Sequence, residues 1–133
     1  MFHNIKITPC PKPRMTQSDC WKKRPAVLRY WAYCDELKLK TRSIEFDPEF
    51  LCLVFIMPMP QSWSKKKKAL NNGLPHKSRP DLSNLVKAFE DALYKEDSMI
   101  HTYGAMRKIW GEEGAILINT LAIEDDFDIR KEK

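Results

Sequence analysis

The stretch HKSRPDLSNLVKAFEDALYKEDSMI, residues 76–100, contains the clearest helix of the chain and most of its candidate site residues. From Asp81 to Tyr94, apolar residues recur every three or four positions, as they do on one face of an α-helix. Asp81 follows a proline and suits the first position, where a carboxylate can cap free backbone N–H groups. The stretch therefore predicts an amphipathic helix over residues 81–94, with Asp97 in a turn just after it.

The segments on either side of this helix predict strands and two further helices. Their order, β-α-β-α-α-β-β-β, implies a single α+β domain over residues 1–133, with a mixed or antiparallel sheet packed against two or three helices. The charged tail EDDFDIRKEK is expected to be loose. Strands are predicted over residues 2–7, 43–57, 99–103, 105–110 and 115–123, and helices over residues 25–39 and 65–70. Residues 50–57 are expected to be the buried part of the second strand. The third and fourth strands are expected to join near Gly104.

Length and composition exclude several classes of protein. The chain has 133 residues, 43% of them hydrophobic, which suits one packed domain. Its longest apolar run, residues 50–59, is half of the roughly 20 residues that cross a bilayer, and no signal peptide is evident, so a cytoplasmic protein without a membrane partner is expected. The four cysteines contain no C-x-x-C pair, which argues against a zinc ribbon and favours reduced thiols.

Charge is distributed unevenly along the chain. Residues 1–80 contain 16 Lys or Arg and 6 Asp or Glu, whereas residues 81–133 contain 7 and 12. The basic first part indicates a polyanionic partner. The acidic second part offers ligands for a cation. A phosphate-binding surface beside metal-binding carboxylates is the layout that a nuclease needs.

Asp81, Lys87 and Asp97 are the residues that could act together in such chemistry. Phosphodiester hydrolysis uses a divalent cation that polarises the phosphate and acidifies a water molecule. Magnesium takes one or two carboxylates and keeps several waters, and a nearby lysine can stabilise the phosphate charge. The two aspartates share an ion only if the chain folds back beside the start of the helix. Separately, the three residues also suit a helix cap, a surface lysine and a solvated turn, so both interpretations stay open.

The same stretch resembles the RusA family of Holliday-junction resolvases, in its phage and prophage branch. The family pattern is Asp, any residue, a second Asp, Asn-Leu, a Lys three residues after that Asn, then Asp-Ala-Leu and an acidic pair. Here PDLSNL (80–85), Lys87, DAL (91–93) and ED (96–97) follow in that order. KPRMT (12–16) and RPAVLRYW (24–31) extend the resemblance over most of the chain. Ser83 stands where the second Asp is expected and supplies an oxygen without a negative charge.

The resemblance implies a homodimer that binds four-way DNA junctions and resolves them by paired nicks in DNA recombination and repair. The implied cofactor is Mg²⁺, with Mn²⁺ as a substitute, and no small-molecule cofactor is expected. Carried over residue by residue, the resemblance makes Asp81, Lys87 and Asp97 catalytic. The implied metal ligands are Asp81, Asp97, Glu96 and Ser83.

Basic side chains before the helix are candidates for DNA contact. A lysine run usually forms a solvated helix face, so that role competes with phosphate binding. Arg79 lies two residues before Asp81, and arginine suits forked contacts to phosphate. His76 and His101 are interpreted as loop or surface histidines rather than general bases. The candidate DNA-binding residues are Lys12, Arg14, Lys65, Lys66, Lys67, Lys68, Lys77 and Arg79.

Two other functions are compatible with the sequence. Ser83 and the uneven charge favour a nucleic-acid-binding module without catalysis. The acidic second part alone favours a protein-interaction domain with a basic partner. Cleavage of a four-way junction separates the nuclease from both, and failure to bind nucleic acid at low salt favours the interaction domain.

Overall fold

The fold of the chain is a four-stranded sheet with three helices, seen in a computed structural model that describes residues 2–14 and 24–119. The three predicted helices form, with ends shifted by at most two residues. The elements are β1 (Phe2–Ile5), α1 (Pro25–Thr41), β2 (Phe50–Pro58), α2 (Lys65–Asn71), α3 (Leu82–Leu93), β3 (Thr102–Gly111) and β4 (Ala115–Asn119), with a 3-10 turn at Asp97–Met99.

The sheet is mixed, with strand order β1-β4-β2-β3. β2 pairs with β3 in parallel, whereas β4 pairs with β1 and β2 in antiparallel fashion. The prediction of an α+β domain with a mixed or antiparallel sheet is therefore confirmed. β3 lies at one edge of the sheet, and the loop that leads to the candidate site runs along this edge.

The core lies between one face of the sheet and the helices α1 and α3. β2 lies between β4 and β3 and is nearly all apolar. Leu51, Leu53 and Phe55 have no solvent exposure and point into the core. Leu37 of α1 and Phe89 of α3, which are also fully buried, cover them. This packing fixes α3 on the sheet and leaves its other side free for polar residues.

The predicted strand over residues 43–57 is wrong in its first half, because β2 begins only at Phe50. The Asp47 side chain accepts hydrogen bonds from the backbone N–H of Glu49 at 2.8 Å and of Phe50 at 3.2 Å. This arrangement is an Asx turn, which competes with strand pairing. The turn aligns the chain for the start of β2.

The prediction of two strands joined near Gly104 is also wrong, because residues 102–111 form the single strand β3. Leu51 pairs with Tyr103, and Leu53 pairs with Met106, so β3 has one extra residue at this point. The extra residue makes a β-bulge rather than a turn. A Cβ at Gly104 would lie 3.2 Å from the Phe50 ring, which explains the small residue. The predicted strand over residues 115–123 forms up to Asn119, and residues 120–123 and the charged tail lie outside the described ranges.

The described cysteines are free thiols, as predicted. Cys10, Cys34 and Cys52 are half-buried and unpaired with one another. Cys20 lies outside the described ranges. Burial raises the pKa of the Cys10 and Cys34 thiols, so neither is an activated nucleophile.

Candidate active site at the start of α3

Asp81 stands at the N-cap of α3, but its side chain does not cap the helix. The exposed carboxylate makes no capping hydrogen bond, and only the backbone oxygen of Asp81 accepts from Asn84 and Leu85, each at 3.1 Å. The ordinary role of an aspartate at this position is therefore not filled. The carboxylate is available for another ligand.

The loop before Asp81 is fixed from the sheet by Lys108 of β3. Its Nζ donates to the backbone oxygens of Ser78 and Pro80, each at 2.6 Å. Because these carbonyls come one to three residues before Asp81, the lysine holds the loop that leads into α3. Lys108 was not among the predicted site residues, since it lies 28 residues from Pro80 in sequence and no local pattern joins them.

Lys87 belongs to a polar stripe along the outer side of α3. Its Nζ lies 3.4 Å from Asp91 Oδ1, one helical turn further on. Lys12 of the N-terminal loop donates to Asp91 Oδ2 at 2.7 Å, and the Asn84 side-chain amide donates to the backbone oxygen of Lys12 at 3.4 Å. Asp91 thus holds two ammonium groups at once. Asp91 could have been found from its i, i+4 spacing to Lys87, whereas the contact with Lys12 could not.

Glu96 and Asp97 come after the other end of α3. The chain here lies where β2 and β3 begin, because His101 and Thr102 donate to the backbone oxygen of Glu49. A helix of 12 residues is about 18 Å long. Glu96 is exposed, and the side chain of Asp97 lies outside the described part of the structure. The pairing of Asp81 with Asp97 at one ion stays a prediction.

A buried carboxylate lies where α3 faces β3. Glu90 is only 4% exposed and accepts a hydrogen bond from the Tyr103 hydroxyl of β3. Since Pro80 lies near Lys108 and Glu90 near Tyr103, α3 runs opposite to β3. Burial, with the Glu90 charge second, raises the pKa of Tyr94 to about 12.

The lysines at 65–68 begin α2, and their exposure is compatible with both a solvated helix face and DNA contact. Ser64 caps this helix by accepting from the Lys67 backbone N–H at 3.2 Å. The Lys67 ammonium lies 4.4 Å from the Trp63 ring, which in turn packs on Trp110 of β3 at 4.8 Å between centroids. A short helix that would be marginal alone is thereby fixed on the sheet. Lys65, Lys66 and Lys67 are exposed and Lys68 is half-buried.

The other predicted DNA-binding residues lie in two loops. Lys77 and Arg79 are exposed in the loop that leads to Asp81. Arg14 is exposed in the N-terminal loop, and its backbone oxygen accepts from the Arg24 guanidinium at 2.7 Å. Lys12 differs from the others because its ammonium is paired with Asp91. It links the N-terminal loop to α3 as well as contributing charge.

His76 lies in a loop, as predicted, but it is buried rather than at the surface. It is 7% exposed and packs on Trp110 with 4.2 Å between ring centroids. Its backbone N–H donates to the Lys108 oxygen at 2.9 Å, so the residue pairs with the edge of β3. Burial, with the Lys108 charge second, lowers the pKa of His76. His101 is exposed, as predicted.

A comparison with protein-family models matches the family described as Endodeoxyribonuclease RusA over residues 9–120. The match spans the N-terminal loop, all three helices and the sheet from β2 onward. The chain belongs to the RusA endodeoxyribonuclease family. Comparison with curated proteins and with solved structures gives no match.

RusA proteins are endonucleases that resolve Holliday junctions, so this RusA protein is a DNA-binding nuclease of recombination. The resemblance of PDLSNL and the residues after it to the RusA family is confirmed. None of the helices within residues 2–14 and 24–119 is long and apolar enough to cross a lipid bilayer.

RusA resolvases depend on a metal ion, and the oxygen donors at the start of α3 fit one. Over the described ranges, no three His, Cys, Asp or Glu side chains come together as a metal site. Magnesium, however, needs only one or two carboxylates when it keeps several waters. Asp81 offers a carboxylate without a capping bond, and Ser83 offers an exposed hydroxyl on the first turn of α3.

Proposed function

We propose that this RusA protein is a magnesium-dependent endonuclease that resolves four-way DNA junctions by paired nicks as a homodimer. The observation that supports the proposal is the exposed Asp81 carboxylate, which occupies an N-cap position without capping the helix. Lys77 and Arg79 immediately before it supply charge for the DNA backbone. Manganese is expected to replace magnesium, since both accept oxygen ligands.

Each proposed site residue has a separate task. Asp81 and Ser83 would hold the ion at the start of α3, and Glu96 and Asp97 would complete its ligands. When bound, the ion polarises the phosphate and lowers the pKa of a coordinated water. The Lys87 ammonium, held by Asp91, would stabilise negative charge on the phosphate in the transition state.

The two groups of proposed ligands flank α3, whose length of about 18 Å separates its ends. One ion reaches both groups if metal and DNA binding bring the turn after α3 toward Asp81, or if a second copy presents its own turn there. Mixing two inactive variants, Asp81→Asn and Asp97→Asn, separates these arrangements. If the ligands come from different copies, a mixed dimer regains one intact site and nicks DNA. If they come from the same copy, the mixture stays inactive.

The central test is nicking of a labelled four-way junction with magnesium. The wild-type protein is expected to nick it, and Asp81→Asn is expected to bind the junction without nicking. Glu45→Gln is the control, because Glu45 is an exposed acid in the loop before β2. Absence of nicking by folded wild-type protein at every magnesium and manganese concentration would reject the proposed activity.

A DNA-binding protein without catalysis is the second candidate, favoured by Ser83 at the position of the second motif aspartate. Binding that is sensitive to salt, independent of metal and never followed by cleavage would support it. Ser83→Asp distinguishes the two, because an added carboxylate should tighten magnesium binding. If Ser83→Asp nicks junctions and the wild type does not, the wild type is the binding module.

A further inference from the structure

The end of α2 presents two exposed leucines beside lysines. Leu70 is 66% exposed, more than any other large apolar side chain in the described ranges, and Leu74 is 49% exposed. Leu70 lies three and four residues after Lys67 and Lys66, so the three side chains share one face of α2. We call these three residues, together with Leu74 in the turn that follows α2, the α2 face.

The α2 face is held in place. The Lys67 ammonium lies on the Trp63 ring, which packs on Trp110 of β3. The Leu74 backbone N–H donates to the Asn71 oxygen at 3.0 Å, and its own oxygen accepts from Trp110 at 2.9 Å. These contacts fix the start of α2 and the backbone of Leu74, and both leucines are exposed. A fixed apolar surface is suited to a ligand that binds without rearrangement.

The α2 face and Asp81 lie along the same edge of β3. Leu74 pairs with Trp110, His76 pairs with Lys108, and the Lys108 side chain bonds the Pro80 oxygen. The chain thus follows β3 from the leucines to the residue before Asp81. A DNA strand that reaches the carboxylate would pass near this face.

Charge and apolar character together specify the ligand. The row of lysines at 65–68 selects a polyanion over an apolar protein partner. A leucine side chain makes no favourable contact with phosphate. In duplex DNA, stacking covers the apolar faces of the bases that a leucine could contact. At a branch point the bases can unstack, and apolar side chains are known to insert between base steps where duplex DNA is kinked. We propose that Leu70 and Leu74 contact unstacked base faces at the branch of the junction, while Lys66 and Lys67 bind the adjacent phosphates.

This inference rests on the proposed junction substrate, and a binding assay without divalent metal tests it apart from catalysis. The double variant Leu70→Ser/Leu74→Ser is compared with the wild type on a four-way junction and on linear duplex of the same sequence. Leu39→Ser is the matched control, because Leu39 is 64% exposed on α1. Junction affinity should fall about ten- to hundredfold in the double variant, as when a buried leucine contact is lost. Duplex affinity should change less than about twofold, and the control should change neither.

A second readout concerns the bases themselves. With 2-aminopurine at the branch, wild-type binding should raise its fluorescence through unstacking, and the double variant should raise it less. Lys66→Gln/Lys67→Gln should instead weaken junction and duplex binding alike and reduce the salt dependence.

Four results would overturn the inference. Equal losses on junction and duplex would place the leucines on the DNA backbone. No loss on either, with the wild type binding junctions normally, would refute the α2 face alone. If the variant instead shifts a dimer to monomer in sedimentation, the face joins two copies of the chain. Failure of the wild type to bind junctions would refute this inference and the proposed function together.

Discussion

Replacing Asp81 by alanine should leave the fold intact and abolish the binding of the metal ion. Ser64 provides the comparison within the same chain, because it occupies the N-cap of α2 and does accept a capping bond from Lys67. Loss of such a cap costs about 1 kcal/mol, which lowers the melting temperature by about 3–5 °C in a domain of this size. Asp81 makes no capping bond, so Asp81→Ala should cost less than about 0.5 kcal/mol, the usual range for exposed substitutions.

The assay is chemical unfolding of the wild type, Asp81→Ala and Ser64→Ala without divalent metal. About 0.5 M salt screens the interaction of the Asp81 charge with the helix dipole. Under these conditions Ser64→Ala should be the less stable variant. If Asp81→Ala loses as much as Ser64→Ala, the carboxylate is a structural cap and the argument for a free ligand fails.

Magnesium gives the second half of the measurement. A ligand present at ten times its dissociation constant stabilises the folded state by about 1.4 kcal/mol. At low salt, magnesium should therefore raise the melting temperature of the wild type and of Ser64→Ala. Asp81→Ala should not respond. An equal response in all three proteins would place the ion elsewhere.

Three further predictions concern α3 and its neighbours. Asp91→Asn removes the ion pairs of Asp91 with Lys12 and Lys87, at 2.7 and 3.4 Å, so single-turnover nicking should slow about tenfold or more. Asp91→Glu should restore the nicking rate, and an unchanged rate in Asp91→Asn would contradict a positioning role. Phe89→Ala empties a fully buried site and should cost about 3–5 kcal/mol in urea unfolding; a loss below about 1 kcal/mol would contradict this packing. Tyr94→Phe removes a buried hydroxyl that has no hydrogen-bond partner among the described residues and should be neutral or stabilising. The pKa of Tyr94 is raised to about 12 in the folded state. Its contribution to the free energy of unfolding is therefore complete below about pH 10 and lost toward pH 12. Over that range the wild type should lose more stability than Tyr94→Phe.

Helices were predictable because their signals are local. α3 follows from apolar residues at three- and four-residue spacing between a proline and a turn, and its observed bounds differ from the predicted ones by one residue at each end. α2 follows from Ser64 as a cap and the Asn71-Asn72-Gly73 turn. In both helices the residues that decide the structure lie within one turn of each other.

The strand predictions were wrong where other interactions outweigh the local sequence pattern. Residues 43–49 alternate as a strand would, but the Asp47 side chain bonds the backbone and forms a turn. Gly104 is typical of a turn in sequence and instead lies in a bulge, because β2 continues as its partner across that point. Pairing of β3 with a strand some fifty residues away outweighs the local preference.

Local patterns in the sequence were enough to predict the helix that begins after Asp81 and to recognise the uneven charge and the motif of the RusA family. Three features appear only in the folded chain: Asp81 does not cap its helix, Lys108 holds the loop before it, and Lys12 contacts Asp91 across 79 residues. The difference lies in the range of the interactions. Periodicity and turns depend on neighbours a few residues apart, whereas these contacts depend on how the sheet brings distant segments together.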